Sequence, residues 1–208
     1  MRRVLVCALL SLALPVLASA SGINLVNLHG TISLSDSGIV STNSTLHQYN
    51  NIIAAPGHGL GFVNYATGAL TSGSLFTGGT FSDVGSYFNV IGKSNNPGVP
   101  KGPIFTGAFV GPIMWNLISE TGKGCPVAPC KYVFQLVGNI KGMLFTGNTV
   151  TGNTTQTITV FYGEFLREGD GHIGIGNTHL NTPEPGTLAL LGTGLVGVAT
   201  VVRRKLAS

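Results

Sequence analysis

Between residues 21 and 182 the chain never sustains a helical pattern over twelve residues; what recurs is apolar alternation with a period of two. In Tyr132-Val133-Phe134-Gln135-Leu136-Val137, the residues Tyr132, Phe134 and Leu136 share one face and Gln135 takes the other. Ile113, Trp115 and Leu117 do the same, as do Ile158, Val160 and Tyr162 between threonines. Further strand candidates are Ile23 to Leu28, Leu60 to Tyr65, Ser86 to Ile91, Ile104 to Val110 and Gly142 to Phe145, nearly all bounded by Gly, Pro, Asn or Asp. The pattern predicts an all-β body. With this many short strands it favours an antiparallel two-layer β-sandwich, jelly-roll-like, over a closed barrel. Trp115, Phe134, Leu136, Ile158 and Val160 are then expected to face the space between the sheets, since a slip of one residue would turn each outward.

Two local readings refine this. Ile113 to Ser119 and Lys131 to Ile140 flank a loop with Gly122, Gly124, Cys125 and Cys130, so they read as neighbouring antiparallel strands of one hairpin. The tripeptide Phe-Thr-Gly recurs at Phe76, Phe105 and Phe145 with unequal spacing, which marks strand ends and not a solenoid repeat.

The ends belong to another category. Met1-Arg2-Arg3, an apolar run from Val4 to Leu17 and Ala18-Ser19-Ala20 are the three parts of a secretory signal, with cleavage between Ala20 and Ser21. Cys7 lies inside the apolar run, where it cannot serve as a lipoprotein cysteine. At the other end, Pro183-Glu184-Pro185-Gly186 precedes an apolar run from Thr187 to Val202 and then Arg203-Arg204-Lys205. The prolines bar helix through the carboxylate. The run is expected to form a short transmembrane helix at 187 to 202, its basic end held in the cytoplasm. In this order the three parts resemble the PEP-CTERM sorting signal of Gram-negative bacteria, which is processed at the membrane by an exosortase and linked to exopolysaccharide production. The resemblance implies Pro183, Glu184 and Pro185 as the recognition motif, and signal peptidase and an exosortase-type enzyme as processing partners. It implies membrane anchorage until processing, then a cell-surface or extracellular destination. It covers residues 183 to 208 and carries no information about the body. The chain thus divides into a signal peptide at 1 to 20, a β domain at 21 to 182 and the sorting segment at 183 to 208.

Five of the eleven basic residues lie in these ends, leaving six in the body against six acidic ones. A near-neutral body offers no electrostatic footprint for nucleic acid. It holds 27 of the 31 glycines, with Thr, Asn and Ser as the main polar residues. Cys125 and Cys130, the only cysteines left after the signal departs, read as a disulfide closing a small ring around two prolines in an exported chain.

Chemistry-bearing constellations are thin. Gly169-Asp170-Gly171-His172-Ile173-Gly174 fits a dinucleotide fingerprint, but Ile175-Gly176-Asn177-Thr178 after it is no helix, so a glycine-rich turn is expected there. Glu168 and Asp170 beside it fall short of a Ca²⁺ site. His29, His47, His58, His172 and His179 are dispersed, and no zinc-protease or serine-hydrolase signature occurs. The body's carboxylates are Asp36, Asp83, Glu120, Glu164, Glu168 and Asp170; a glycosidase would need two across a cleft, and Asp83 with Glu164 is one such candidate pair. No cofactor or metal is expected. The reading is a non-catalytic exported envelope or extracellular-matrix protein associated with exopolysaccharide. The alternatives are a carbohydrate-binding module, for which Trp115, Tyr49, Tyr65 and Tyr87 are candidate aromatics, and a glycoside-active enzyme.

Overall fold

The computed structural model describes residues 22–93, 97–121, 130–162 and 169–181. The expected signal helix and the expected helix at 187 to 202 lie outside them. Twelve strands make up the described chain: β1 (Gly22–Leu28), β2 (Thr31–Ser35), β3 (Gly38–Tyr49), β4 (Ile52–Ile53), β5 (Gly61–Ala66), β6 (Leu70–Ser74), β7 (Gly78–Phe81), β8 (Tyr87–Gly92), β9 (Gly102–Thr121), β10 (Cys130–Leu144), β11 (Thr149–Tyr162) and β12 (Gly169–Asn181). Among the described residues there is no helix. The body is all-β, as the alternation requires.

The layering differs from the expected sandwich. Each wall strand pairs antiparallel with its neighbour in sequence order, through β1, β3, β5, β8, β9, β10, β11 and β12, and β12 returns to pair with β1. The sheet has closed on itself as an eight-stranded up-and-down barrel. β1 and β2 act as one bent strand of the wall: both pair with β12 on one side and β3 on the other. The bend is His29-Gly30, with φ of 59° and 99°. Gly30 there lies so close to the Ser44 backbone that a side chain would overlap it.

Closure can be followed rung by rung. From Val160 the pairing runs through Gly171, Ile32, Ser41, Tyr65, Phe88, Gly107 and Gly142 and comes back to β11 at Val150, ten residues along. A stagger of that size on eight strands corresponds to a tilt of about 40° and a backbone diameter of about 16 Å. Register shifts in the β1–β3, β3–β5, β8–β9, β9–β10 and β11–β12 pairs supply the bends that let long strands such as the 20-residue β9 wrap the wall. The β6–β7 hairpin leaves the wall between β5 and β8 and adds to β9 through β7.

Side chains fill the barrel. Trp115 stacks on Phe134 at 4.3 Å between centroids, and Tyr65, Phe88 and Phe109 form a second aromatic group with Tyr65–Phe88 and Phe88–Phe109 both at 5.8 Å. Trp115, Phe134, Leu136, Ile158 and Val160 are all fully buried, in the expected phase. They face the interior of one barrel and not a gap between sheets. Glycines make the room: the Phe109 ring lies over Gly138, and the Phe105 ring over Gly107 and Gly142. This places Phe105-Thr106-Gly107 within β9, whereas the triplets at Phe76 and Phe145 sit at hairpin turns, as expected of strand ends. The outer phase of β11 is polar: Thr151 and Asn153 are exposed, and Thr155, Thr157 and Thr159 half-buried.

Candidate functional site

The seam between β1 and β12 unites the two features that most distinguish this barrel, its closure and the departure of both chain ends. Gly22 is paired with Asn181, Ile23 with Leu180, Asn24 with His179 and Asn27 with Gly176. The segment read as a glycine-rich turn at Gly169 to Gly174 is therefore the start of the closing strand. Glycine suits it physically, because Gly171 packs against Val160 and Ile158 and Gly176 lies under two buried amides.

Behind the seam runs a fully interior polar network. Asn27 Nδ2 donates to Ser44 Oγ at 2.7 Å and to Gln156 Oε1 at 2.9 Å. Gln156 Nε2 donates to Thr154 Oγ1 at 2.8 Å and, more weakly, to Asn27 Oδ1 at 3.3 Å. Thr154 Oγ1 meets Thr178 Oγ1 at 2.8 Å. The five side chains come from β1, β3, β11 and β12, so the network clasps the first two wall strands to the last two. Asn27, Ser44, Thr154 and Gln156 have none of their surface exposed, and Thr178 has 4%. Amides and hydroxyls of this kind carry no proton-transfer chemistry near neutral pH. What they provide is specificity, since a one-residue slip would leave buried donors unpaired. The sequence did offer a signal for it: Gln156 and Thr154 continue inward the phase of Ile158 and Val160.

One more polar pair lies inside. Ser41 and Tyr65 are opposite each other on β3 and β5, and neither hydroxyl has a well-formed hydrogen bond. Burial pushes the Tyr65 phenol far above its ordinary value, and the neighbouring Ser41 hydroxyl opposes this only in part.

At the rim, His179 Nδ1 lies 2.6 Å from Asn24 Oδ1, and the His179 ring covers Gly22. Asn24 is also tied to Asn50 in both directions: its N–H donates to Asn50 Oδ1 at 2.9 Å, and the Asn50 N–H donates to its carbonyl at 2.7 Å.

The residues singled out from sequence distribute as follows. Ala20, Ser21, Pro183, Glu184, Pro185 and Cys125 lie outside the described residues, as does the Cys130 side chain. The hairpin flanking the cysteines is formed as expected, with Trp115 opposite Leu136 and Leu117 opposite Phe134. Trp115 is buried and its Nε1 donates to the Leu75 carbonyl at 2.9 Å. Tyr49 and Tyr65 are buried and Tyr87 half-buried, so none of the four candidate aromatics forms an open platform. Asp83 Oδ2 accepts the Gly111 N–H at 2.8 Å, and Glu120 Oε1 accepts the Tyr132 hydroxyl at 3.3 Å. Among the described residues no three of His, Cys, Asp and Glu converge on a metal-sized site.

Comparison with known proteins matches the family model described as the PEP-CTERM protein-sorting motif to residues 181–205. No curated protein and no solved structure matches the chain. The motif begins on the last residue of β12. It implies an exported protein with a transient membrane anchor, processed by an exosortase-type enzyme.

Proposed function

We propose that this chain is a non-catalytic barrel of the cell envelope or extracellular matrix, delivered by its sorting motif and released by processing to associate with exopolysaccharide. The observation that carries the reading is the motif at 181–205, joined to a closed domain without any spacer. The character of the barrel supports it. Its interior is packed with aromatic and aliphatic side chains, its central polar network is neutral and self-satisfied, and the outer phase of β11 is a run of hydroxyls and amides. A hydrated neutral face can hydrogen-bond glycan hydroxyls without the charge that would bind nucleic acid.

The carbohydrate-module alternative gains nothing from the buried Trp115, Tyr49 and Tyr65. Of the carboxylate pair considered for a glycoside-active enzyme, Asp83 accepts the Gly111 N–H and Glu164 lies outside the described residues. Fractionation of the producing cell tests the proposal. The barrel is expected in the polysaccharide matrix or culture medium when the exosortase-type enzyme is present, and in the membrane fraction when it is deleted. Recovery in the membrane of both strains would refute it.

A further inference from the structure

Only Thr182 separates the last residue of β12 from Pro183. Two Cα steps span at most about 7 Å, so Pro183 stays that close to Asn181 in any conformation. Asn181 is not a loose end: it pairs with Gly22 on one side and Thr151 on the other. The next residue inward, Leu180, is fully buried and lies over Gly152, opposite Ile23. One rung further, His179 is bonded to Asn24 and covers Gly22.

An enzyme that draws the motif into an enclosed site needs more free chain than two residues, and each opened rung adds about 3.3 Å. Opening Asn181 uncovers no core side chain. Opening Leu180 brings an apolar side chain out of the core. Resting on the processing reading above, the geometry points to the β1–β12 seam as a latch on that processing. The closed barrel leaves the motif a tether of one residue, Thr182, beyond β12, and the enzyme acts on the fraction of molecules in which Asn181, Leu180 and His179 have come away from β1 and β11. Asn24, through His179, is the positioning residue of the latch. Processing is then fastest before the barrel closes and slow afterwards.

The test uses the full chain in a strain with the exosortase-type enzyme, with loss of the tail followed by pulse-chase. Eight Gly and Ser residues inserted between Asn181 and Thr182 supply reach without touching a rung. Because exposing one leucine corresponds to about a tenfold population penalty or more, this variant is expected to be processed at least about tenfold faster. The same insert at the exposed turn between Gly147 and Asn148 gives no reach and is expected to leave the rate unchanged. Asn24→Ala is expected to speed processing several-fold. A tail insert processed at the parental rate would overturn the latch while leaving sorting intact. No processing of any variant would overturn the sorting reading, and the latch with it.

Discussion

Replacing Gly176 by Ala adds one methyl group, yet it is expected to be among the most damaging changes in the barrel. Gly176 is buried on β12, paired with Gln156 on one side and Asn27 on the other, and its φ is that of an ordinary strand. Backbone strain is therefore not the issue. A Cβ there would overlap Gln156 Oε1 and Asn27 Oδ1, so one amide must swing aside. When Gln156, the nearer of the two, moves, the Asn27–Gln156 bond at 2.9 Å and the Gln156–Thr154 bond at 2.8 Å are lost. A buried polar group left unpaired costs about 1–3 kcal/mol, and overpacking adds about 1–3 kcal/mol. Together the loss is about 2–6 kcal/mol, a large part of the stability of a typical domain. Gly174→Ala is the matched control: it is exposed on the same strand, and its new methyl group would lie 3.5 Å from its nearest contact, the Thr157 carbonyl oxygen. The control should be neutral or gain up to about 1 kcal/mol through the unfolded chain. Urea unfolding followed by the emission of the single, fully buried Trp115 reads both. If the two variants fall within about 1 kcal/mol of each other, the clasp does not hold the barrel as described.

Other expectations follow from the same interior and from the hairpin loop. Tyr65 holds its proton more tightly folded than unfolded, so its contribution is intact below about pH 10 and lost above it, at about 1.4 kcal/mol per pH unit. Burial of Tyr49 acts in the same direction. Tyr65→Phe should flatten the alkaline loss by one proton and change neutral stability by no more than about 1 kcal/mol; an unaltered alkaline slope in denaturant titrations would count against the buried phenol. Cys125 and Cys130 are expected to be oxidised in freshly exported protein, with the double Ser variant losing about 2 kcal/mol or less because the ring is short. Two reactive thiols in a quantitative thiol assay would end that assignment.

Much of the fold is legible in the amino-acid pattern alone, and the exceptions share a cause. The alternation around Trp115 and Phe134 points to the correct face, the correct hairpin and the correct class, because a period of two reports which side is buried. It does not report whether the two edges of a sheet meet. That depends on β12, whose inward positions include Gly171 and Gly176, so the closing strand lacks the apolar beat of the others and reads as a turn. The inward hydroxyls Ser41 and Ser44 hide β3 in the same way, since serine at a buried phase is indistinguishable from serine in a loop. The clasp is invisible for a different reason. Asn27 and Gln156 are separated by 129 residues in sequence, and only closure brings them together. At the chain's end the position is reversed: the sorting motif is plain from Pro183 to Lys205, while the structure contributes what no motif carries, the pairing of Asn181 with Gly22 at one rim.

Intact-mass analysis of the exported protein decides whether the chain is sorted and processed at its tail, because it reads both ends of the barrel at once. In a strain with the exosortase-type enzyme, the exported chain is expected to begin at Ser21 and to lack the residues after about Gly186, with the tail retained when the enzyme is deleted. An exported species from the enzyme-containing strain that still carries Arg203 to Ser208 would contradict it.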